Sequence, residues 1–323
     1  MVDYKIILLI IIIILFFILS YLIITNEHNK KVKELNKEYF SKNTKYVQYD
    51  YKVRNDLKNI FCFWDTKELP LFINECIKNI KNKFPDWNLI LLNNDTVYNL
   101  IDKNHFPKNF DKIHIQAKSD WIRLFLLNTY GGLWLDASIV INDPQEIEIM
   151  YNILINNDID LIAHTLDKHN IILNNKKEYC IENWFLFCKP NSSILKNWLK
   201  EFEYAINIGF NNYKKSIESN PKKYVLPKTE VNYEIYYTAY KCYLISIQKN
   251  KTDINKILFK PAEMSMYKYQ IMYEWKRELY FNHFLKNKVK ENIKFISYDR
   301  IYFDNNIDIL KKFVKLYFDV YLT

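Results

Sequence analysis

The apolar positions of this chain alternate between short uninterrupted runs and segments with helical spacing. Ile60–Trp64 is a short apolar run typical of a buried strand, whereas the apolar residues of Leu71–Phe84 recur at the spacing of one helical face. Trp87–Leu92 supplies a second strand-like run. A strand, a helix and a strand in this order build a parallel pair with a crossover helix, so the pattern predicts an α/β domain.

The same alternation continues toward the C-terminus. It predicts further strands at residues 133–135, 139–141, 160–163 and 184–188, and helices at residues 112–129, 192–208, 234–249 and 307–321. Because strands and helices keep alternating, we expect one catalytic domain with a mixed, mostly parallel central sheet and a helical C-terminal part.

An N-terminal apolar run extends from Ile6 to Ile24 and is broken only by Ser20 and Tyr21. As a helix rising about 1.5 Å per residue it would span roughly 28 Å, the thickness of a bilayer core. We therefore predict a single-pass transmembrane anchor at residues 1–25, a lysine-rich stem or linker at residues 26–58, and a folded domain at residues 59–323. The lysines flanking the run leave open whether the catalytic part faces the cytosol or the secretory pathway.

Composition and net charge exclude only a few functions and kinds of site. The formal net charge is +9, but the lysines are scattered rather than gathered in a block, so we do not expect a nucleic-acid partner. Five cysteines without a CxxC pair indicate buried thiols rather than a disulfide framework or a structural metal site.

The candidate chemistry lies in one segment. Asp120 and Arg123 are three residues apart on a predicted helix and share a face. That helix ends in Gly131 and Gly132, a pair that permits a left-handed turn and a close backbone approach. Asp136 follows at the end of the next strand, where open α/β sheets bind ligands. The spacing alone is also compatible with a simple helical salt bridge between Asp120 and Arg123.

The stretch from Lys118 to Ser138, KSDWIRLFLLNTYGGLWLDAS, resembles the DXD-containing sugar-transfer signature. More closely, it is similar to the capsular polysaccharide synthesis protein family, in a group that includes α-1,6-mannosyltransferases and glucosylating clostridial toxins. Weaker similarity extends the resemblance over residues 59–198. It implies a GT-A-type, Rossmann-like domain that transfers a sugar from a nucleotide-sugar, with UDP favoured and with retention at the anomeric carbon.

The resemblance also implies roles for individual residues. Asp120 and Arg123 would hold the hydroxyls and the phosphate side of the donor, and Trp64 would stack on its base. Gly132 is the fourth residue expected to bind the donor. Asp136 would contact the ribose and a Mn²⁺ or Mg²⁺ ion on the diphosphate, ions that prefer hard oxygen ligands. Ser138 stands where a strict DXD motif has its second carboxylate, so metal binding there depends on a hydroxyl.

The acceptor, a glycan, glycoprotein or glycolipid, is expected at Glu182, Asn183 and Trp184. Asp143, His283 and Asp299 are weaker candidates for a further metal or phosphate contact. Three other functions remain open. They are a noncatalytic nucleotide-sugar or glycan binder, a membrane-tethered protein that binds nucleic acid or anionic lipid, and a glycosidase, for which Asp136 has no obvious second carboxylate.

Overall fold

The computed structural model describes residues 10–23, 26–27, 30–31, 34, 49–173, 176–219, 223–226, 237–250 and 252–320. Its strands are β1 Asn59–Phe63, β2 Asn88–Leu92, β3 Gly132–Leu135, β4 Ile139–Val140, β5 Leu161–Thr165, β6 Ile171–Leu173, β7 Lys176–Glu178, β8 Ile181–Cys188, β9 Ile257–Pro261 and β10 Ile293–Lys294. Its helices are α1 Leu71–Lys83, α2 Ile115–Tyr130, α3 Gln145–Asn156, α4 Ser193–Ile208, α5 Phe210–Glu218, α6 Thr238–Asn250, α7 Lys268–Met272, α8 Arg277–Lys286, α9 Ser297–Asn305 and α10 Ile307–Phe318.

Six strands form the central sheet in the order β2-β1-β3-β8-β5-β9. Strand β8 is antiparallel to both of its neighbours, whereas the other three pairs are parallel. The predicted α/β fold with a mixed, mostly parallel sheet is therefore confirmed, and the predicted strand-helix-strand opening is the parallel β1-β2 pair with α1 between its strands.

Both faces of the sheet are buried, because successive side chains of each strand enter two different apolar clusters. In β1, Ile60 belongs to one cluster and Phe61 to the other. Helices α1 and α10 contribute to the first cluster, and helices α2, α4 and α6 contribute to the second. The five cysteines are free and buried.

The turn between α2 and β3 depends on its two glycines. Gly131 ends the helix with φ of 63°, and its N–H donates to the Leu127 carbonyl at 2.9 Å. Gly132 has φ of 99°, and a Cβ there would lie 2.9 Å from the carbonyl oxygen of Asn59. Any other residue would therefore strain the turn and push β3 away from β1.

The C-terminal part of the chain returns to the loop that follows β3. Strand β10 pairs antiparallel with β4, so that Lys294 lies opposite Ile139 and Ile293 opposite Val140. The Phe295 N–H also donates to the Ser138 carbonyl at 3.1 Å. Residues near position 294 are thereby fixed against the Asp-Ala-Ser loop.

The predicted membrane anchor is wrong. Residues 10–23 are helical, and the remainder of the predicted anchor lies outside the described residues, as does most of the predicted stem. Within the described parts of the chain, no helix combines the length and the apolar character that crossing a bilayer requires.

Strand β8 has bounds that differ from the prediction in a way that matters for the site. The strand predicted at residues 184–188 starts earlier, at Ile181, so that Glu182 and Asn183 lie within it. The helix predicted at residues 234–249 is described from Thr238, because residues 234–236 lie outside the described part.

Candidate active site

A cavity of about 740 Å³ opens where β1 and β3 end. Trp64 follows β1 and Asp136 follows β3, the strand-end position at which open α/β sheets hold ligands. Predicted site residues that line the cavity are Trp64, Arg123, Asp136, Ser138, Glu182, Asn183 and Trp184. The structure therefore brings most of the predicted site into one cavity.

Arg123 lies between two carboxylates at the base of this cavity. Its Nη1 donates to Asp120 Oδ1 and its Nη2 to Asp136 Oδ1, each at 2.8 Å. The guanidinium also lies 4.8 Å from the centroid of the Trp134 ring, within the range of a cation–π contact. Both Arg123 and Asp120 are almost fully buried, so this pair is more than the exposed salt bridge that spacing alone allows.

Asp136 has a second cation on its other oxygen. Lys294 Nζ donates to Asp136 Oδ2 at 2.9 Å and to Ser138 Oγ at 2.8 Å. The Ser138 hydroxyl in turn donates to the Phe295 carbonyl at 2.7 Å. Lys294 thus joins the two side chains that were predicted to bind a metal ion.

The two aspartates differ in acidity because their surroundings differ. Burial tends to raise the pKa of Asp136, but Lys294 and Arg123 outweigh burial and lower the pKa to about 2. For Asp120, burial dominates, the Asp136 charge adds to it, and the pKa rises to about 6 despite the contact with Arg123. Burial lowers the pKa of Lys294, and the Asp136 carboxylate opposes that shift.

Arg300 adds a third cation at the same end of the cavity. Its guanidinium lies 5.4 Å from the centroid of the Trp64 ring, and its Nη1 is 3.5 Å from Ser138 Oγ. Trp64, predicted to stack on the donor's base, therefore has an arginine over its ring. The Asp136 end of the cavity, defined by Arg123, Asp136, Lys294 and Arg300, is called the charged end below.

The residues of the charged end do not form a good site for a divalent cation. Mg²⁺ and Mn²⁺ need several oxygen ligands, but both oxygens of Asp136 already accept hydrogen bonds, and the other aspartate that lines the cavity, Asp65, follows a different strand. Ser138 Oγ is an acceptor for Lys294. Among the described residues, no group of three or more His, Cys, Asp or Glu side chains is placed to hold a metal ion.

The β8 side of the cavity adjoins Asp136, whose N–H donates to the Trp184 carbonyl at 3.0 Å. Glu182 Oε1 lies 2.8 Å from His169 Nδ1, and its Oε2 accepts from Trp184 Nε1 at 3.1 Å. Asn183 donates to Asp120 Oδ1 at 2.9 Å and accepts from the Tyr240 hydroxyl at 2.9 Å. Aromatic rings dominate the wall here. We call it the aromatic end, defined by Trp184, Tyr237, Tyr240, Tyr267 and Trp275.

Some predicted residues lie elsewhere. Gly132 is at the opposite end of β3 from Asp136 and does not line the cavity. Asp120 lines a smaller neighbouring cavity of about 200 Å³ and reaches the main site through Arg123 and Asn183.

The weaker candidates have structural contacts. The Asp143 carboxylate accepts from the Gln145 N–H at 3.0 Å, at the start of α3. His283 stacks on Tyr269 with ring centroids 4.6 Å apart, and buried Asp299 accepts from the Ile296 N–H at 3.0 Å. None of the three candidates lines the main cavity.

Lys294, Arg300, His169 and Tyr240 are site residues that the sequence did not indicate. Lys294 is 158 positions from Asp136, and its strand has only two residues, so no periodicity marks it. The only available signal was the short polar-apolar alternation around it, which is too brief to distinguish a strand from a loop.

Comparison with known proteins gives one match over most of the chain. The family model described as "Capsular polysaccharide synthesis protein" matches residues 13–320. The O-glycosyltransferase braB of Annulohypoxylon truncatum is 30% identical over 106 residues, which cover 28% of this chain and 25% of that protein. The chain thus matches about a quarter of the length of this curated relative.

Three solved structures show weaker likeness. A glycosyltransferase involved in glycosylation of the major capsid of PBCV-1 has a TM-score of 0.38 at 10% identity, over 78% of this chain and 98% of that chain. The PaToxG glycosyltransferase has a TM-score of 0.34 at 13% identity, over 88% and 96%. The galactosyltransferase LgtC, with donor and acceptor sugar analogues, has a TM-score of 0.35 at 14% identity, over 74% and 87%. Scores this low carry no argument about the site.

Proposed function

Because the chain belongs to the capsular polysaccharide synthesis protein family, we propose that it is a glycosyltransferase of the GT-A type. It transfers a sugar from a nucleotide-sugar donor, a UDP-sugar in the first instance, to a hydroxyl group of a glycan, glycoprotein or glycolipid acceptor. The name of the matched O-glycosyltransferase relative agrees with this activity.

The observation that carries the proposal is the composition of the charged end. Three basic side chains, Arg123, Lys294 and Arg300, lie around the Asp136 carboxylate, and Asp65 also lines the cavity. Arginine and lysine donors are the usual partners of phosphate oxygens, and in a partly desolvated cavity they act on an anion strongly. A cluster of basic side chains beside a strand end therefore suits the diphosphate of a nucleotide-sugar.

Trp64 suits the rest of the nucleotide. It lies at the end of β1 beside Arg300, where its ring can stack on a base while the diphosphate extends toward Lys294. Asp136, with its pKa held at about 2, stays ionised at neutral pH and can accept from ribose hydroxyls. UDP is proposed as the nucleotide because of its broad use in the resembling families.

At the reacting centre, the bond between the anomeric carbon and the diphosphate oxygen breaks, and a bond to the acceptor oxygen forms. The departing phosphate oxygen takes up the proton of the acceptor hydroxyl. Because the acceptor enters on the face of the sugar from which the diphosphate leaves, the configuration at the anomeric carbon is retained. Negative charge develops on the diphosphate during this step, so the cations of the charged end stabilise the transition state more than the bound donor.

The aromatic end is proposed to bind the acceptor. Aromatic rings along the cavity wall suit the apolar faces of sugar rings, and the polar groups of Trp184 and Tyr240 hold Glu182 and Asn183 in place. Glu182 then accepts a hydrogen bond from the acceptor hydroxyl and orients it. This placement puts Asn183 between the two substrates, since it also contacts Asp120.

The Mn²⁺ or Mg²⁺ ion predicted from the family resemblance remains a prediction. If such an ion is bound, Asp136 and Ser138 are the side chains that would hold it, and it would neutralise the leaving diphosphate. The contacts of both side chains with Lys294 argue against that arrangement.

The test is donor turnover by the purified full-length chain across a panel of UDP- and GDP-sugars. Each donor is assayed with Mn²⁺ and with chelator, beside an Asp136→Ala variant. The proposal expects release of nucleoside diphosphate from at least one donor and its loss in the variant. Donor binding without any turnover would favour a noncatalytic nucleotide-sugar binder, and absence of both binding and turnover would refute the proposed site.

A further inference from the structure

Lys294 occupies the notch in which a DXD-type cation would be bound. Its ammonium lies 2.9 Å from Asp136 Oδ2 and 2.8 Å from Ser138 Oγ, the first and last side chains of the Asp-Ala-Ser segment. The Lys294 side chain is only 5% exposed, so the ammonium is enclosed between these oxygens rather than extended into solvent.

The negative charge of Asp136 is already balanced at this position. Arg123 Nη2 and Trp134 Nε1 donate to Oδ1 at 2.8 and 3.0 Å, while Lys294 holds Oδ2. A divalent cation that entered the notch would meet the Lys294 ammonium, which already binds the Asp136 carboxylate. Like charges at this distance in a partly buried site repel strongly.

The backbone fixes Lys294 at this place. Strand β10 pairs Lys294 with Ile139, immediately after Ser138, and the Gln270 side chain donates to the Lys294 carbonyl at 2.8 Å. The Lys294 N–H donates to the Met266 carbonyl at 3.0 Å. With both of its backbone groups bonded, Lys294 presents its ammonium from a rigid strand rather than from a mobile loop.

The ammonium has capacity for a ligand. An ammonium has three donor hydrogens, of which Asp136 and Ser138 account for two, and Lys294 lines the cavity. Arg300 lines the same wall with its Nη1 3.5 Å from Ser138 Oγ. A lysine and an arginine therefore converge on one cavity wall, and Arg123 adds its charge from below.

On these grounds we propose that the Lys294 ammonium takes the place of a divalent metal ion in this enzyme. Together with Arg300 it binds the donor's diphosphate, so that no divalent metal is needed. The proposal rests on the proposed glycosyltransferase function and refines it. The proposed site binds the diphosphate group. Its ammonium, held by Asp136 and Ser138, neutralises the leaving group as the bond between the donor sugar and the diphosphate breaks.

The first test uses the unmodified full-length protein. Donor turnover and nucleoside-diphosphate affinity are measured with a chelator such as EDTA and with Mn²⁺, the affinity by calorimetry with UDP. We expect both quantities to agree within about twofold between the two conditions. Turnover abolished by chelator and restored by Mn²⁺ would overturn the inference while leaving the glycosyltransferase function standing.

The second test compares Lys294→Met with a matched control, Lys249→Met. Lys249 also pairs with a carboxylate, Glu201, at 2.7 Å, but it lies outside the cavity. Since a charge-assisted hydrogen bond is lost, we expect UDP affinity to fall about 10- to 100-fold in Lys294→Met and turnover to fall at least as far. Uridine, which lacks phosphates, should bind both variants equally.

Two results would contradict this inference. UDP affinity that is unchanged in Lys294→Met, or an equal loss for uridine, would show that Lys294 does not bind phosphate. If Lys294→Met does not fold, as judged by circular dichroism, Lys294→Arg is used instead, with retained UDP binding in EDTA expected. A wild-type chain that binds UDP in EDTA but turns over no donor would refute the proposed activity and leave the phosphate site intact.

Discussion

The two ends of the cavity hold their carboxylates in different ways. At the charged end, Asp136 is bound by two cations, Arg123 and Lys294, and its pKa falls to about 2. At the aromatic end, Glu182 is bound by the uncharged indole N–H of Trp184 and by the ring nitrogen of His169. One carboxylate is bound by two cations, and the other by an indole N–H and a histidine ring, although Lys168 also lines the aromatic end, 5.4 Å from the Trp275 ring centroid.

This difference indicates a division of labour. Fixed positive charge at one end suits an anion whose charge grows during the reaction, as a leaving diphosphate does. Rings and hydrogen-bonding groups at the other end suit a neutral sugar, which binds by stacking and by hydroxyl contacts. Substitutions at the two ends should therefore affect different substrates.

The largest effect is expected from Arg123→Met at the charged end. The variant leaves the buried Asp120 carboxylate and one Asp136 oxygen without their common cation, so we expect at least about a 1,000-fold loss of donor turnover and about 3 kcal/mol less stability. The measurement is turnover together with urea unfolding. Arg54→Met is the control, because the Arg54–Asp56 pair is exposed, and it should leave turnover unchanged. A mild loss like that of the control would contradict the role of Arg123.

At the aromatic end, Glu182→Gln is expected to reduce transfer about 100-fold, a typical loss when a group that positions a reacting hydroxyl is removed. UDP affinity should stay unchanged, because Glu182 contacts His169 and Trp184 rather than the cations proposed to bind the diphosphate. Glu203→Gln is a matched control, since Glu203 also accepts from a tryptophan, at 3.0 Å from Trp121 Nε1, but lies outside the cavity. A parallel loss of UDP affinity in Glu182→Gln would remove the distinction between the ends.

The pH dependence of stability tests the charged end without any ligand. The pKa of Asp120 rises from 3.8 to about 6 on folding, so its contribution is fully present below pH 4 and is lost as pH rises through 6. Relative to Asp120→Asn, the wild-type chain should lose on the order of 2 kcal/mol of unfolding free energy between pH 4 and pH 7. Urea unfolding at several pH values measures this difference. A constant difference across the range would contradict the raised pKa.

The smallest effect concerns metal affinity. Ser138→Asp combined with Lys294→Ala supplies a second carboxylate and removes the ammonium, so the double variant should bind Mn²⁺ at least about tenfold more tightly than the wild-type chain. Calorimetry with MnCl₂ measures both affinities, and Lys249→Ala with Ser138 intact serves as the control. Equal Mn²⁺ affinity in the double variant and the wild type would mean that Lys294 does not occupy the cation position.

What the sequence predicted well was local. The helix carrying Asp120 and Arg123, the Gly131–Gly132 turn and the strand before Asp136 are contiguous, and each has its own signal in spacing or residue type. The capsular polysaccharide synthesis family, inferred from this stretch, is confirmed by the match over residues 13–320.

The site contacts that the sequence did not predict join residues far apart in the chain. Arg300 lies 162 positions from Ser138, and Lys294 reaches Asp136 only because a two-residue strand, β10, pairs with β4. Such short pairings have no periodicity to read. The anchor prediction is contradicted, because no helix among the described residues is long and apolar enough to cross a bilayer.

The most direct test of the division between the two ends is a crystal structure of the full chain with an intact nucleotide-sugar, grown in EDTA. We expect diphosphate oxygens within hydrogen-bond distance of Lys294 Nζ and Arg300, with the sugar directed toward Glu182. A diphosphate bound among the rings of the aromatic end, or away from Lys294, would contradict it.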